Sequence, residues 1–311
     1  MDVLRLTLRQ LQIFAAVARL GSTTAAGAEI ALSQSATSSA VNELERLLSL
    51  QLFDRAGKRL LLNENGRALL PRALALLDAA AGVEHFARAG RDHIQSLRIG
   101  ASSTIGNYLL PALLGKFFGD AHQQTGSDWK SAVAIGNTAA ICEAVAAFEL
   151  DVGLIEGPSH ETALQVFPWV HDEVVIVAAA DSALVHAPGG DAPVSVAALR
   201  DSMWLLRESG SGTREATDQA LLPHLHAYRR SIELGSSEAI KHAAAEGLGI
   251  ACLSRWVVDD LIAAGRLRAV RTSLPTMMRQ CHVVIHRDKQ MTPALRQFMA
   301  QLLPETADLA A

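Results

Sequence analysis

The chain is poor in the groups that do metal, redox and membrane chemistry. It has three cysteines in 311 residues, Cys142, Cys252 and Cys281, an odd number with no metal-ligand spacing. Scattered thiols of this kind fit small buried apolar side chains in a reduced cytoplasm and exclude a disulfide-stapled scaffold. Eleven histidines show no paired ligand spacing, and aromatic residues make up only 5%. No apolar run approaches the roughly 18–20 residues of a membrane span, because Arg19 interrupts the longest early candidate. Met1-Asp2 lacks the basic-then-apolar order of a secretion signal, so a cytoplasmic location without membrane contact is expected. What is abundant is core material: half the residues are hydrophobic and 19% are charged. At this length two or three globular domains are expected.

Charge is small and unevenly placed. Residues 1–92 hold 11 basic against 9 acidic side chains, net +2, whereas the remainder holds 17 against 23, net −6. That asymmetry suits a nucleic-acid-binding head on an acidic body. A head with so little positive charge needs a second copy to gather enough phosphate contacts.

Residues 8–62 are dense in local signals. Leu8, Leu11, Phe14, Ala15 and Ala18 recur at helical spacing, Gly21-Ser22-Thr23 stops that helix, and a shorter helix ends near Ile30. Ser33 caps a third helix whose buried side is expected to be Ala36, Ala40, Val41, Leu44, Leu47 and Leu48. The other face carries Gln34, Ser35, Thr37, Ser38, Ser39 and Asn42, hydrogen-bonding groups short enough to bring a backbone close to a base edge. Leu52–Arg55 and Leu60–Leu62 then flank a basic hairpin tip, Ala56-Gly57-Lys58-Arg59. Together these elements make a winged helix-turn-helix.

The same stretch resembles the N-terminal domain of the LysR-type transcriptional regulators. The resemblance rests on Leu8-x-Gln10-Leu11, Phe14-x-x-Val17-Ala18, Gly21-Ser22, Ala25-Ala26, Ser33-Gln34-x-Ala36-x-Ser38, Leu44-Glu45 and Leu52-Phe53-Asp54-Arg55. Ser35 and Ser39 stand where that family usually has Pro and often Arg, and Asn63 replaces the usual Thr before the next helix. Double-stranded operator DNA is therefore the expected partner. The expected contacts come from Ser33, Gln34, Ser35, Thr37, Ser38 and Ser39 on the reading helix and Arg55, Lys58 and Arg59 on the wing.

Residues 63–92 read as one long linker helix with an apolar stripe of Leu69, Leu70, Ala73, Leu74, Leu77, Ala80, Ala81 and Phe86, kinked at Pro71. The resemblance implies dimerisation through it, with homotetramers as the usual assembly and RNA polymerase as a further partner. Two paired heads match an inverted-repeat operator.

From Leu97 the period changes to short apolar strands alternating with helices, an α/β body with largely parallel sheets. Four strand-to-helix junctions carry Ser, Thr, Asn or Gly: Ser102-Ser103-Thr104, Gly136-Asn137-Thr138, Ser209–Thr213 and Gly235-Ser236-Ser237. Such junctions offer free N–H groups, a positive dipole end and hydroxyl donors, all suited to an anion. The Ser209–Thr213 loop lacks the Gly-Lys-Ser/Thr ending of a nucleotide P-loop, and it has no Gly-x-Ser-x-Gly elbow. No catalytic set, cofactor or metal site is expected.

The body resembles the two-lobed, type 2 periplasmic-binding-protein-like effector domain of LysR-type regulators. The branch it resembles includes regulators of sulfur assimilation and sulfite metabolism, with carbon-fixation regulators as close relatives. The resemblance implies lobe I at 94–168 and 272–303, lobe II at 169–271, and a cleft between them. It also implies an effector site of Ser102, Ser103, Thr104, Asn137, Thr138, Gly212, Thr213, Ser236 and Ser237. Arg207 or Arg214 either supplies a charge there or pairs with Glu208 or Glu215, and Glu156 opposes a second negative charge unless it turns away. Residues after about Pro304 are expected to fray. The expected function is a DNA-binding regulator answering a small anionic metabolite, a sulfur oxyanion foremost. The alternatives are a non-enzymatic solute-binding protein or an enzyme on the same two-lobed fold.

Overall fold

The computed structural model describes residues 5–57, 59–92, 96–125, 131–185 and 193–304. Lys58 and the expected frayed tail beyond Pro304 lie outside them, as does the side chain of Phe86. The chain divides into two compact units, Met1–His93 with Asp288–Gln290, and Ile94–Arg287 with Met291–Ala311.

The first unit opens with α1 (Leu8–Leu20), α2 (Thr23–Glu29) and α3 (Gln34–Leu48). Thr7 and Gln10 form a capping box on α1, and Gly21 closes it in the left-handed region at φ 63°. Ser22 and Ser33 cap the next two helices through their hydroxyls. Leu11, Phe14, Val17, Val41, Leu44 and Leu52 form a shared core, in which the Phe14 and Phe53 rings sit 5.5 Å apart. Leu8, expected on the apolar face of α1, is 48% exposed, so the core face starts at Leu11. A hairpin follows, β1 (Phe53–Ala56) antiparallel to β2 (Arg59–Leu62). Glu45 holds it to α3 by accepting from the N–H groups of Leu52 and Phe53 at 2.7 and 3.3 Å.

The linker helix α4 (Glu64–Asp92) is capped by Asn63, whose side chain accepts from Gly66 N at 2.9 Å, and it continues through Pro71. Leu69, Leu70, Ala73 and Leu77 of its stripe pack on the core of this unit, whereas Leu76 and Val83 face solvent.

The second unit is built on one sheet in the order β4-β3-β5-β11-β6-β9-β7-β8, with β10 also paired to β6. Its first half contains β3 (Arg98–Ser102), β4 (Ala132–Gly136) and β5 (Val152–Glu156), all parallel, with α5 (Ser103–Tyr108), α6 (Leu110–Thr125) and α7 (Thr138–Ala146). Its second half contains β7 (Met203–Leu206), β8 (Arg230–Glu233) and β9 (Ile250–Ser254), again parallel. With them come α8 (Val196–Asp201), α9 (Gly212–Leu225), α10 (Ser237–Ala245) and α11 (Arg255–Ala263), followed by β10 (Leu267–Ala269).

Two long strands serve both halves: β6 (Leu164–Ala179) and β11 (Met277–His286), after which α12 (Pro293–Leu302) packs on the first half. The expectation of a largely parallel sheet fails at these two strands. β11 runs antiparallel to β5 and β6, and β6 runs antiparallel to β9 and β10. The chain crosses from one lobe to the other on β6 and returns on β11, so the two strands must run in opposite directions. Each lobe keeps its own apolar clusters, around Ile99, Leu154 and Phe298 in one and Trp204, Leu221 and Leu253 in the other.

Candidate functional site

On α3 of the first unit, Gln34, Ser35 and Ser39 are exposed and Ser38 is half-buried. The Ser33 hydroxyl accepts from Ala36 N at 3.1 Å and contacts the Ser35 hydroxyl at 3.0 Å, and Gln34 Nε2 donates to Thr23 Oγ1 at 3.2 Å. Two residues sit on faces opposite to those expected. Thr37 is fully buried and Ala36 is exposed, because the Thr37 hydroxyl donates to Ser33 O at 3.0 Å. A threonine that satisfies its hydroxyl one turn back can face a core. On the wing, Arg55 and Arg59 are both exposed near the hairpin tip, at positions paired with Leu60 and Ala56 respectively, and Gly57 takes φ 62° there.

In the second unit, two of the four junctions, Ser102-Ser103-Thr104 and Ser209–Thr213, meet at a carboxylate of the chain itself. Glu156, the last residue of β5, is 1% exposed. Its Oε1 accepts from Ser102 Oγ at 2.9 Å, Thr104 N at 2.8 Å and Ile105 N at 3.1 Å. Its Oε2 accepts from Thr213 Oγ1 at 3.1 Å and Arg279 Nη1 at 3.2 Å. Ser102, Thr104 and Ile105 come from the β3–α5 junction of lobe I, Thr213 from the start of α9 in lobe II, and Arg279 from the strand that crosses between them.

The remaining expected residues bond across the lobes, cap helices or, for Ser103, tie neighbouring strands of one lobe. Thr138 Oγ1 donates to Glu156 O at 3.1 Å and accepts from Gly212 N at 3.2 Å. Gly212 is required there: a Cβ would lie 1.9 Å from Glu156 O. Ala139 N donates to Gly210 O at 3.0 Å across the same seam. Asn137 caps α7 by accepting from Ala140 N and donates to Glu208 at 3.2 Å. Ser103 donates to Gly136 O at 2.9 Å, and Ser236 caps α10.

Arg207 is a structural pair. It grips Glu208 with Nε and Nη2 at 2.7 and 2.8 Å and donates to Ser237 Oγ at 2.8 Å. Arg214 pairs with Asp218 at 2.8 Å and Glu233 at 3.4 Å rather than with Glu215.

Sequence reading missed the cation of this site. Arg279 donates from Nη1 to Thr213 Oγ1 at 2.9 Å as well as to Glu156, and from Nε to Asp172 Oδ2 at 2.7 Å. Asp172 in turn accepts from Ser254 Oγ at 2.8 Å. Arg279 is 107 residues from Asp172 and 123 from Glu156, so no local pattern announces the group. Burial pushes the Glu156 carboxyl up, but Arg279, the Ser102 hydroxyl, the Ile105 N–H and the Thr213 hydroxyl together hold it below the ordinary carboxylate value. For Asp172 burial prevails over the same guanidinium and its pKa is raised.

A second cross-lobe group lies at Tyr108 on α5. Its hydroxyl bonds Glu238, and Lys241 Nζ, also on α10, donates to it at 2.9 Å. The three cysteines are buried, and burial raises Cys142 and pushes the Cys252 and Cys281 thiols up to about 12, so neither of these two is a thiolate at neutral pH.

Comparison with known proteins agrees with both halves of this picture. Residues 8–67 match the family model "bacterial regulatory helix-turn-helix protein, lysR family", and residues 90–307 match "LysR substrate binding domain". The chain is 47% identical to the Escherichia coli K12 uncharacterized HTH-type transcriptional regulator YeiE over 95% of its own length and 97% of that protein's. It is 32% identical to the Bacillus subtilis HTH-type transcriptional regulator CysL over 81% and 82% of the two lengths. A full-length OxyR variant from Pseudomonas aeruginosa shares the fold, with a TM-score of 0.67 over 97% and 96% of the chains at 23% identity. The two relatives are named as regulators, not enzymes. The chain belongs to the LysR family of DNA-binding transcriptional regulators, with a helix-turn-helix domain followed by an effector-binding domain.

Proposed function

We propose that this regulator binds an inverted-repeat operator as a dimer or a tetramer of paired dimers and answers a small anion, a sulfur oxyanion foremost, held between its lobes. The observation that carries the effector reading is the convergence of five donors from both lobes and the crossover strand on one point. Two backbone N–H groups at the start of α5, two hydroxyls and a guanidinium form a site in which a carboxylate already rests. An anion with three or more oxygens engages all of them. The choice of a sulfur oxyanion rests on the resemblance to the sulfite-responsive branch.

On the DNA side, Gln34, Ser35, Ser38 and Ser39 reach base edges, with Ser33 at the helix start. Arg55 and Arg59, with Lys58 between them in sequence, neutralise phosphates. Leu76 and Val83, seven residues apart and exposed on α4, seat the helix against a second copy. Val133 and Ile135, exposed on the edge strand β4, offer a further subunit contact. No helix among the described residues is long and apolar enough to cross a membrane. A role on DNA supports a cytoplasmic location, with RNA polymerase as a further partner.

Thermal unfolding of the full chain against sulfite, sulfate, thiosulfate, phosphate and sugar phosphates tests the effector. Ligand at 100 times its dissociation constant adds about 2.7 kcal/mol, and Thr213→Val should abolish the shift. No shift with any of these anions overturns the small-oxyanion reading.

A further inference from the structure

We infer that Glu156 is a tethered ligand of the effector cleft, whose carboxylate a diffusing anion must displace rather than join. The inference rests on the cleft reading above and adds the regulation of that site.

The carboxylate makes the contacts expected of an effector. It takes the two N–H groups of Thr104 and Ile105, the hydroxyls of Ser102 and Thr213, and one arm of Arg279. It is wholly removed from water, with its side chain 2% exposed and that of Arg279 3% exposed. The donors are saturated by the chain itself, so a second anion finds none of them free while Glu156 stays.

Charge gives the same answer. Arg279 faces two carboxylates, Glu156 and Asp172, with one guanidinium. Placing a third negative charge beside a single buried cation is unfavourable in a low dielectric, and exchanging one anion for another leaves the balance unchanged. Gly157, immediately after Glu156, and Arg279 itself both line a cavity of about 430 Å3, together with Gln280 and His282. That cavity runs beside the site, so an entering anion has only to part the groups next to Glu156 to reach it. One donor is also in reserve: the Thr104 hydroxyl, 1% exposed, has no hydrogen-bond partner among the described residues.

The consequence is a regulated threshold. Glu156 belongs to lobe I and Thr213 to lobe II, so the tethered carboxylate links the lobes without any effector. A diffusing anion competes against a group held at high effective concentration. An anion displaces it when its concentration and its affinity for the donors together outweigh that tethered competitor, and the conformational response follows from its difference in affinity for the two states.

The test uses the full-length protein with Glu156→Gln and Glu156→Ala, titrated calorimetrically with sulfite and sulfate and melted with and without formate. Removing the competing charge should tighten oxyanion binding by roughly tenfold or more in Glu156→Gln. Glu156→Ala should melt lower than wild type and regain its midpoint in formate, a free carboxylate that fills the vacated place, while wild type ignores formate. Where the wild type binds an oxyanion, unchanged or weaker binding by Glu156→Gln overturns the inference, as does a folded Glu156→Ala that formate does not rescue. Should Glu156→Ala not fold, the near-isosteric Gln variant decides alone. Formate rescue without any sulfur-oxyanion response keeps the tethered ligand and removes the sulfur oxyanion. Sulfite binding that depends on Thr213 but gains nothing from Glu156→Gln does the reverse.

Discussion

Arg279 on β11 and Asp172 on β6 meet at 2.6 Å with both side chains withdrawn from water, joining the two strands that cross between the lobes. Among the described residues only these strands belong to both lobes, so the pair sits where any change in lobe angle must be accommodated. A buried ion pair is weak evidence for stability in itself, yet removing one partner strands the other charge. Here the loss of Arg279 strands two.

Arg279→Met should therefore destabilise the effector domain by about 3–5 kcal/mol. Urea unfolding at neutral pH checks this, with the midpoint falling and the slope unchanged. Adding Asp172→Asn to Arg279→Met should recover part of the loss, because one stranded carboxylate is gone. A loss below about 1 kcal/mol would show that the guanidinium contributes no more than an exposed pair.

The acid limb of stability should carry the signature of Glu156. Its pKa in the folded chain is depressed from a value of 4.5, so its stabilising contribution is complete above that value and disappears as pH falls through the folded one. Asp172 works the other way: raised from 3.8, it favours the folded state progressively as pH falls towards that value. The advantage in unfolding free energy of wild type over Glu156→Gln should stay flat from neutral pH down to about 4.5 and shrink below it. Denaturant melts at stepped pH measure the difference. A gap that instead widens on acidification would mean that Glu156 is protonated in the native protein.

Much of this architecture was legible because it is local. Caps at Thr7, Ser22 and Ser33, the Gly21 stop and the hairpin around Gly57 are decided within a few residues, and the stop, the Ser caps and the hairpin lie where sequence reading places them. The four strand-to-helix junctions were legible for the same reason. What the first and third of them enclose was not. Glu156 was recognisable as an acid near the cleft, but its inward turn depends on Arg279, which is adjacent only through the sheet. The long strand β6 gives no alternating signal, since its N-terminal half is largely in contact with solvent while its C-terminal half is buried on both faces. On α3 the polarity of Thr37 was misleading, because its hydroxyl is satisfied inside the helix and its methyl group is free to pack.

Gly212 sets the distance between the lobes. Gly212→Ala would bring a methyl group into Glu156 O and to 2.7 Å from Thr138 Oγ1. The backbones must separate, breaking the Gly212 N to Thr138 bond and disturbing Thr213 beside it. A loss of about 1–3 kcal/mol is expected, typical of overpacking, together with faster amide exchange at Gly212 and Ala139. Gly136→Ala is the control: its new Cβ would meet ordinary contacts at 3.6 Å and should cost little. Equal effects from the two would remove the close-approach argument.

The reading helix yields a prediction that separates fold from recognition. Thr37 faces the core, and its hydroxyl lies 2.9 Å from where a Cβ on Gly27 would be, so it belongs to the α2–α3 packing. Thr37→Val should cost about 0.5–1.5 kcal/mol in stability and leave the operator sequence preference intact. Ser38→Asp sets a carboxylate on the half-buried edge of the proposed reading face and should abolish specific binding with little change in melting temperature. Arg55→Ala, on the wing, should weaken binding to all sequences alike and lower the salt slope by about 1. Competitive binding to a randomised operator library at two salt concentrations distinguishes the three. If Thr37→Val altered the preferred sequence while Ser38→Asp did not, the face of α3 turned to DNA would be the one that packs against α1 and α2, an arrangement incompatible with the buried Val41 and Leu44 beside Thr37.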